Sequence, residues 1–221
     1  MSDDWIIKYH ESISVYVIIF DLCSSSQILE SLENQNKVKI WNDFWEEVYQ
    51  HLHNIEEPIE NFEIYKFVGD GFIILCDERN ELEILSYCHK LTIKINTLIQ
   101  DIIEEHIETE IDRVGITIGI DYGKIVRVEI NKNSEYTGKA INIASRLQSS
   151  LKEKEHANKM LISKKVKNRI ANIYDSKYLK STDRILHNLH GNARFYCFEI
   201  DLMVNPEQVI DERKRRTIAS T

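Results

Sequence analysis

Proline is nearly absent: Pro58 and Pro206 are the only two in 221 residues, and no Gly/Ser-rich or Pro-rich run interrupts the chain. Nothing resembles a linker between separately folded units, so one domain is expected. Cysteine is sparse too, and Cys23, Cys76, Cys88 and Cys197 form no Cys-x-x-Cys pair. That excludes a zinc ribbon or a dithiol redox motif and leaves reduced, buried thiols as the expectation. His51 and His53 stand two apart in a helical pattern, so they do not face one another as a metal pair would. No apolar run approaches a membrane span, and Met1-Ser2-Asp3-Asp4 lacks the basic start of a secretory signal. A cytoplasmic protein is expected. Positive charge is in deficit: 28 Lys and Arg against 36 Asp and Glu, a net charge of −8. This argues against a broad nucleic-acid or membrane surface, while a local basic pocket stays compatible with it.

What is present is an ordinary globular composition, 43% hydrophobic and 29% charged. The stretch that organises it is Tyr65-Lys66-Phe67-Val68-Gly69-Asp70-Gly71-Phe72-Ile73-Ile74-Leu75. Two apolar runs flank Gly-Asp-Gly, the pattern of an antiparallel hairpin from Phe62 to Leu75 with a tight turn. Alone, Gly-Asp-Gly is first of all a good turn. Asp70 at its tip also presents a carboxylate from a rigid element, which suits a hard cation such as Mg2+ or Mn2+.

A second acidic strand end lies earlier. Ser14 to Phe20 is short, β-branched and apolar, a buried strand, and Asp21 ends it. Leu22-Cys23-Ser24-Ser25-Ser26 follows; its serines can cap the next helix, whose first N–H groups have no helical acceptor. A carboxylate beside a helix start suits a metal-bound phosphate, although Asp21 is also compatible with a plain capping role.

Helical periodicity runs from Gln27 to about Asn54 with a break at Asn34–Asn36, its stripe being Val38, Trp41, Trp45, Val48 and Leu52. Another helix is expected from Leu82 to about His106. Arg113 to Asp121 reads as a strand that turns at Tyr122-Gly123 and returns over Lys124 to Ile130, with Gly115, Gly119 and Gly123 spaced by four. Tyr136-Thr137-Gly138 leads into a helix from Lys139 to about Lys154, striped by Ile143, Leu147 and Leu151. Asn142 and Arg146 share another of its faces, where they suit a ribose and a phosphate, or equally a solvated helix side. A strand at Met160-Leu161-Ile162, a helix from Lys164 to Ala171 and a strand from Arg194 to Ile200 complete the expected domain, residues 1–204. Residues 205–221, with Asp211-Glu212-Arg213-Lys214-Arg215-Arg216, read as a solvated, mobile tail. The expected fold is α+β, a mostly antiparallel sheet covered by helices on one face.

In four blocks the chain resembles the class III nucleotidyl cyclases. These are the strand ending in Asp21-Leu22, the run Lys66-Phe67-Val68-Gly69-Asp70-Gly71, the glycine-spaced segment Gly115 to Gly123, and Gly138-Lys139-Ala140-Ile141-Asn142-Ile143-Ala144-Ser145-Arg146-Leu147. The resemblance implies a ferredoxin-like catalytic core acting as a head-to-tail homodimer with two sites at the interface. It implies that Asp21, Asp70 and the Leu22 carbonyl hold two Mn2+ or Mg2+ ions. It makes Asn142 the ribose-orienting residue and Arg146 the transition-state arginine, both supplied by the partner subunit. A cation on the triphosphate, from Arg194 or His190, is implied as well. One departure stands out: Cys23-Ser24-Ser25-Ser26 replaces the usual Gly-Phe-Thr-like turn, yet still offers Ser24 and Ser25 with their N–H groups to a triphosphate.

Lys66 stands where adenylate cyclases carry a base-reading lysine and guanylate cyclases a glutamate, and Glu135 lies near the second base-reading position. Such a donor–acceptor pair matches adenine, cytosine or, with roles reversed, uracil. The short form and the Tyr-Lys-Phe-x-Gly-Asp-Gly-Phe run resemble the pyrimidine cyclases of the Pycsar antiphage system, which make cyclic UMP or cyclic CMP for a separate effector protein. An adenylate cyclase and a catalytically dead nucleotide-binding domain are the alternatives.

Overall fold

The computed structural model describes residues 8–53, 62–76, 81–108, 111, 114–130, 133–151, 156–186 and 194–219. Among them eight strands form one sheet in the order β2-β3-β1-β4-β6-β8-β7, with β5 also paired to β4. The strands are β1 (Lys8–Leu22), β2 (Phe62–Phe67), β3 (Gly71–Cys76), β4 (Ile116–Ile130), β5 (Asn133–Thr137), β6 (Lys159–Ser163), β7 (Lys180–Ile185) and β8 (Arg194–Asp201). The helices are α1 (Ser25–Asn34), α2 (Val38–His53), α3 (Glu81–Leu98), α4 (Lys139–Ser149), α5 (Lys164–Ile170) and α6 (Pro206–Ala219). Among the described residues only β4 and β6 pair in parallel; the other pairings are antiparallel. The α+β, mostly antiparallel architecture is as expected.

β1 is apolar along its centre because both its faces are covered. Tyr16, Ile18, Phe20 and Leu22 join the larger core with residues of α1, α2, α3, α5 and α6. Val15, Val17 and Ile19 face the other way, onto Ala140 and Ala144 of α4. Helices therefore lie on both faces of the sheet, not on one. Gly119 shows how closely α4 sits. A Cβ there would stand 2.1 Å from the Ala144 carbonyl oxygen and 2.5 Å from the Gln148 nitrogen, so the bare backbone is what lets the helix settle on β4.

The break between α1 and α2 falls where expected, with Asn36 left-handed at φ 56. In α2, Phe44, Trp45, Val48 and Leu52 are buried and Trp41 packs partly buried against the core, while Val38 is exposed, so the inward stripe begins after Val38. His51 is half-buried and His53 exposed against the Tyr49 ring, pointing apart as their spacing requires. α3 ends at Leu98 and continues as a π turn over Ile99–Ile103 and a short 3-10 turn to His106. All four cysteines are buried free thiols.

Three expectations are corrected. No turn occurs at Tyr122-Gly123: Ile116–Ile130 is one continuous strand pairing along the whole of β1, and its hairpin partner is β5. α4 ends at Ser149 rather than near Lys154. Pro206–Ala219 is a helix, not a mobile tail: Val209 is 1% exposed, and Arg213 Nη1 donates to the carbonyls of Ala171 at 2.6 Å and Tyr174 at 3.1 Å.

Candidate active site

The sheet brings two acidic strand ends together. Asp21 lies opposite Gly71 on one side and Thr117 on the other. A Cβ at Gly71 would fall 1.8 Å from the Phe20 carbonyl oxygen, so only glycine lets the β2–β3 turn cross β1 this closely. The Leu22 N–H then donates to the Asp70 carbonyl oxygen at 2.9 Å. Asp21 and Asp70 line one cavity of about 330 Å³, together with Leu22, Ser24, Ser25 and Thr117.

Each carboxylate has a partner in this cavity. The Ser25 hydroxyl donates to Asp70 Oδ2. The Gln148 amide nitrogen donates to Asp21 Oδ2 at 3.1 Å. Ser24 precedes α1 in the left-handed region, φ 57, uncommon for a residue with a Cβ. Ser25, Ser26 and Gln27 open α1, line the cavity and carry N–H groups that no helical carbonyl can accept. An anion placed there meets the positive end of the helix. Among the described residues no group of three or more His, Cys, Asp or Glu gathers as a metal cage. Two carboxylates with carbonyl and hydroxyl oxygens nevertheless fit a hard divalent cation, which takes one or two carboxylates and completes its shell with water and phosphate.

Lys66 and Glu135 come together at a second place. Lys66 Nζ lies 3.1 and 3.0 Å from the two Glu135 carboxylate oxygens. The Tyr65 hydroxyl donates to Glu135 and accepts the Tyr136 N–H at 2.9 Å. The rings of Tyr65 and Tyr136 meet edge to face at 4.9 Å. These bonds tie β2 to β5 although the two strands are not neighbours in the sheet. The Tyr65 hydroxyl and the Lys66 charge hold the Glu135 carboxyl below its ordinary value, while burial and the bond to Glu135 push the Tyr65 phenol up to about 12.

Asn142 is exposed and Arg146 half-buried, one turn apart on α4, and neither lines the Asp21–Asp70 cavity of its own chain. Arg194 is exposed at the start of β8. Thr117 of the cavity is level with Lys159 and Asp201, at the opposite end of β8, so Arg194 does not reach this cavity within one chain. His190 lies outside the described residues. Sequence reasoning missed Thr117 and Gln148, both almost fully buried in the cavity wall. Gln148 follows Ala144 by four in the helix's inward stripe, and a polar residue at such a position is the signal that was there to find.

The chain matches the adenylate and guanylate cyclase catalytic domain family over residues 7–200. It belongs to that family. Among solved structures, the cyclase domain is similar to the guanylyl cyclase Cya2, at TM-score 0.63 and 15% identity, covering 87% of this chain and 94% of that one. It is similar to the adenylyl cyclase CyaB from P. aeruginosa, at TM-score 0.62 and 19% identity, covering 86% and 96%. The adenylate/guanylate cyclase/hydrolase from Silicibacter pomeroyi follows the same fold at TM-score 0.54 and 18% identity, covering 86% and 97%. At these identities the likeness is one of fold. No match was found among curated proteins. Among the described residues no helix is long and apolar enough to cross a membrane.

Proposed function

We propose that this cyclase domain converts a nucleoside triphosphate to its 3′,5′-cyclic nucleotide and pyrophosphate. The observation that carries this is the meeting of Asp21 and Asp70, from separate strand ends, in one cavity beside a helix start. Asp21, Asp70 and the Leu22 carbonyl would hold two Mg2+ or Mn2+ ions. Bound there, such ions would lower the pKa of the 3′-hydroxyl and neutralise the β- and γ-phosphates. Ser24, Ser25 and the first-turn N–H groups of α1 receive the triphosphate. The 3′-hydroxyl gives up its proton and its oxygen bonds to the α-phosphorus. Pyrophosphate leaves with the electron pair of the broken bond. Asn142 orients the ribose, and Arg146 presents a planar fork to the charge growing on the α-phosphate. Both act on a partner subunit's cavity in a homodimer, which accounts for their absence from their own. The added positive charge on the triphosphate falls to Arg194 or His190.

Lys66 and Glu135 are the base-reading pair. We take the base to be uracil or cytosine and the product, cyclic UMP or cyclic CMP, to be an antiphage messenger read by a separate effector. The Tyr65 and Tyr136 rings beside the pair support a small base, since they fill space and offer a stacking surface. Adenine is the second reading, because a lysine donor and a carboxylate acceptor serve its N1 and N6 equally well. Purified protein with Mn2+ and each of the four triphosphates decides the matter. Cyclic UMP or cyclic CMP is the expected product, and Asp70→Ala is expected to reduce pyrophosphate release by about a thousandfold or more. ATP as sole substrate would overturn the pyrimidine assignment. Nucleotide binding with no turnover of any triphosphate would make this a binding domain.

A further inference from the structure

Gln148 is 8% exposed and both hydrogens of its amide are used. Its nitrogen donates to Asp21 Oδ2 at 3.1 Å and to Thr117 Oγ1 at 2.9 Å. A carboxylate can only accept, so the nitrogen end faces Asp21. Its backbone lies close on β4: a Cβ at Gly119 would stand 2.5 Å from the Gln148 backbone nitrogen and 2.9 Å from its Cβ. Thr117, the other acceptor, pairs directly across the sheet with Asp21. The amide nitrogen is therefore held by two acceptors and lies on the carboxylate from the α4 side.

We propose that Gln148 is the positioning residue for Asp21. It holds the carboxylate in one orientation before any cation arrives and thereby sets the cation affinity of the cavity. Binding to a preset carboxylate avoids freezing its rotamer, and groups that orient a ligand in this way typically govern affinity by about 10–100-fold. Because Gln148 and Arg146 belong to one helix, the orientation of Asp21 and the placement of Arg146 form a single rigid unit. This inference rests on the reading of Asp21 as a cation ligand.

The test is binding of Mn2+ alone, followed by electron paramagnetic resonance of the free ion, in protein whose folding is checked by circular dichroism and thermal melting. Gln148→Met keeps the volume and removes both donors. Its Kd for Mn2+ is expected to rise about tenfold or more, with turnover recovering toward the wild-type rate at saturating Mn2+. Thr117→Val unanchors the amide and is expected to give a smaller rise; it also serves if Gln148→Met does not fold. Wild-type Mn2+ affinity in folded Gln148→Met, or in Thr117→Val should that be the one that folds, overturns the proposal. The reading beneath it fails separately: Mn2+ binding unchanged in Asp21→Asn would show that the cavity is not the cation site and would overturn both.

Discussion

Asp21 and Asp70 carry the same charge but different support, an amide from α4 for one and a hydroxyl from α1 for the other. A third aspartate shows what burial does without such a role. Asp121 is 0% exposed on the α4 side of β4, and desolvation raises its carboxyl above the ordinary 3.8; Ser163, Lys165, the Tyr122 N–H and Lys139 offset this only in part. A carboxyl raised in the folded state gives stability that is full below 3.8 and lost as pH rises through the raised value. Asp121→Asn is therefore expected to gain stability over the wild type at neutral pH and to lose that gain toward pH 4. Urea unfolding across that range measures it, and parallel curves for the two proteins would contradict it. The acidic residues of the cavity were legible in the sequence because each ends an apolar run. Gln148 and Thr117 were not, because their part depends on a helix and a strand meeting across the sheet.

At the scale of elements, the least legible were those whose apolar signal is weak. β5 (Asn-Ser-Glu-Tyr-Thr) and β7 (Lys-Ser-Thr-Asp-Arg-Ile) carry few apolar residues because each pairs along only one side in the sheet. β4 misled in the opposite direction. Gly123 reads as a turn, yet it lies within the strand, 3.5 Å from Ala140 by the Cβ it lacks. In α6 a run of charges hides two buried residues, Val209 at 1% and Ile210 at 8% exposure. Val209→Ala is expected to cost about 2 kcal/mol in urea unfolding, where a mobile tail would show no change. Gly119→Ala is expected to cost about 1–3 kcal/mol by lifting α4 off β4, and with it to weaken Mn2+ binding through Gln148. Full stability in that variant would contradict the close seating of the helix.

The whole molecule divides the proposed chemistry in two. One chain contributes Asp21, Asp70 and the start of α1 to a cavity, and it carries Asn142 and Arg146 outside that cavity. In the proposed head-to-tail homodimer they would be reunited, with each chain completing the other's site. Complementation tests this most directly. Asp70→Ala and Arg146→Ala are each expected to be inactive as purified homodimers. Mixed and allowed to exchange, about half the dimers are heterodimers with one intact site of two, so about a quarter of the wild-type rate should return. Recovery near that level is the result expected of sites shared between subunits. Exchange shown by mass spectrometry with no recovered activity, against an active wild type, would contradict it.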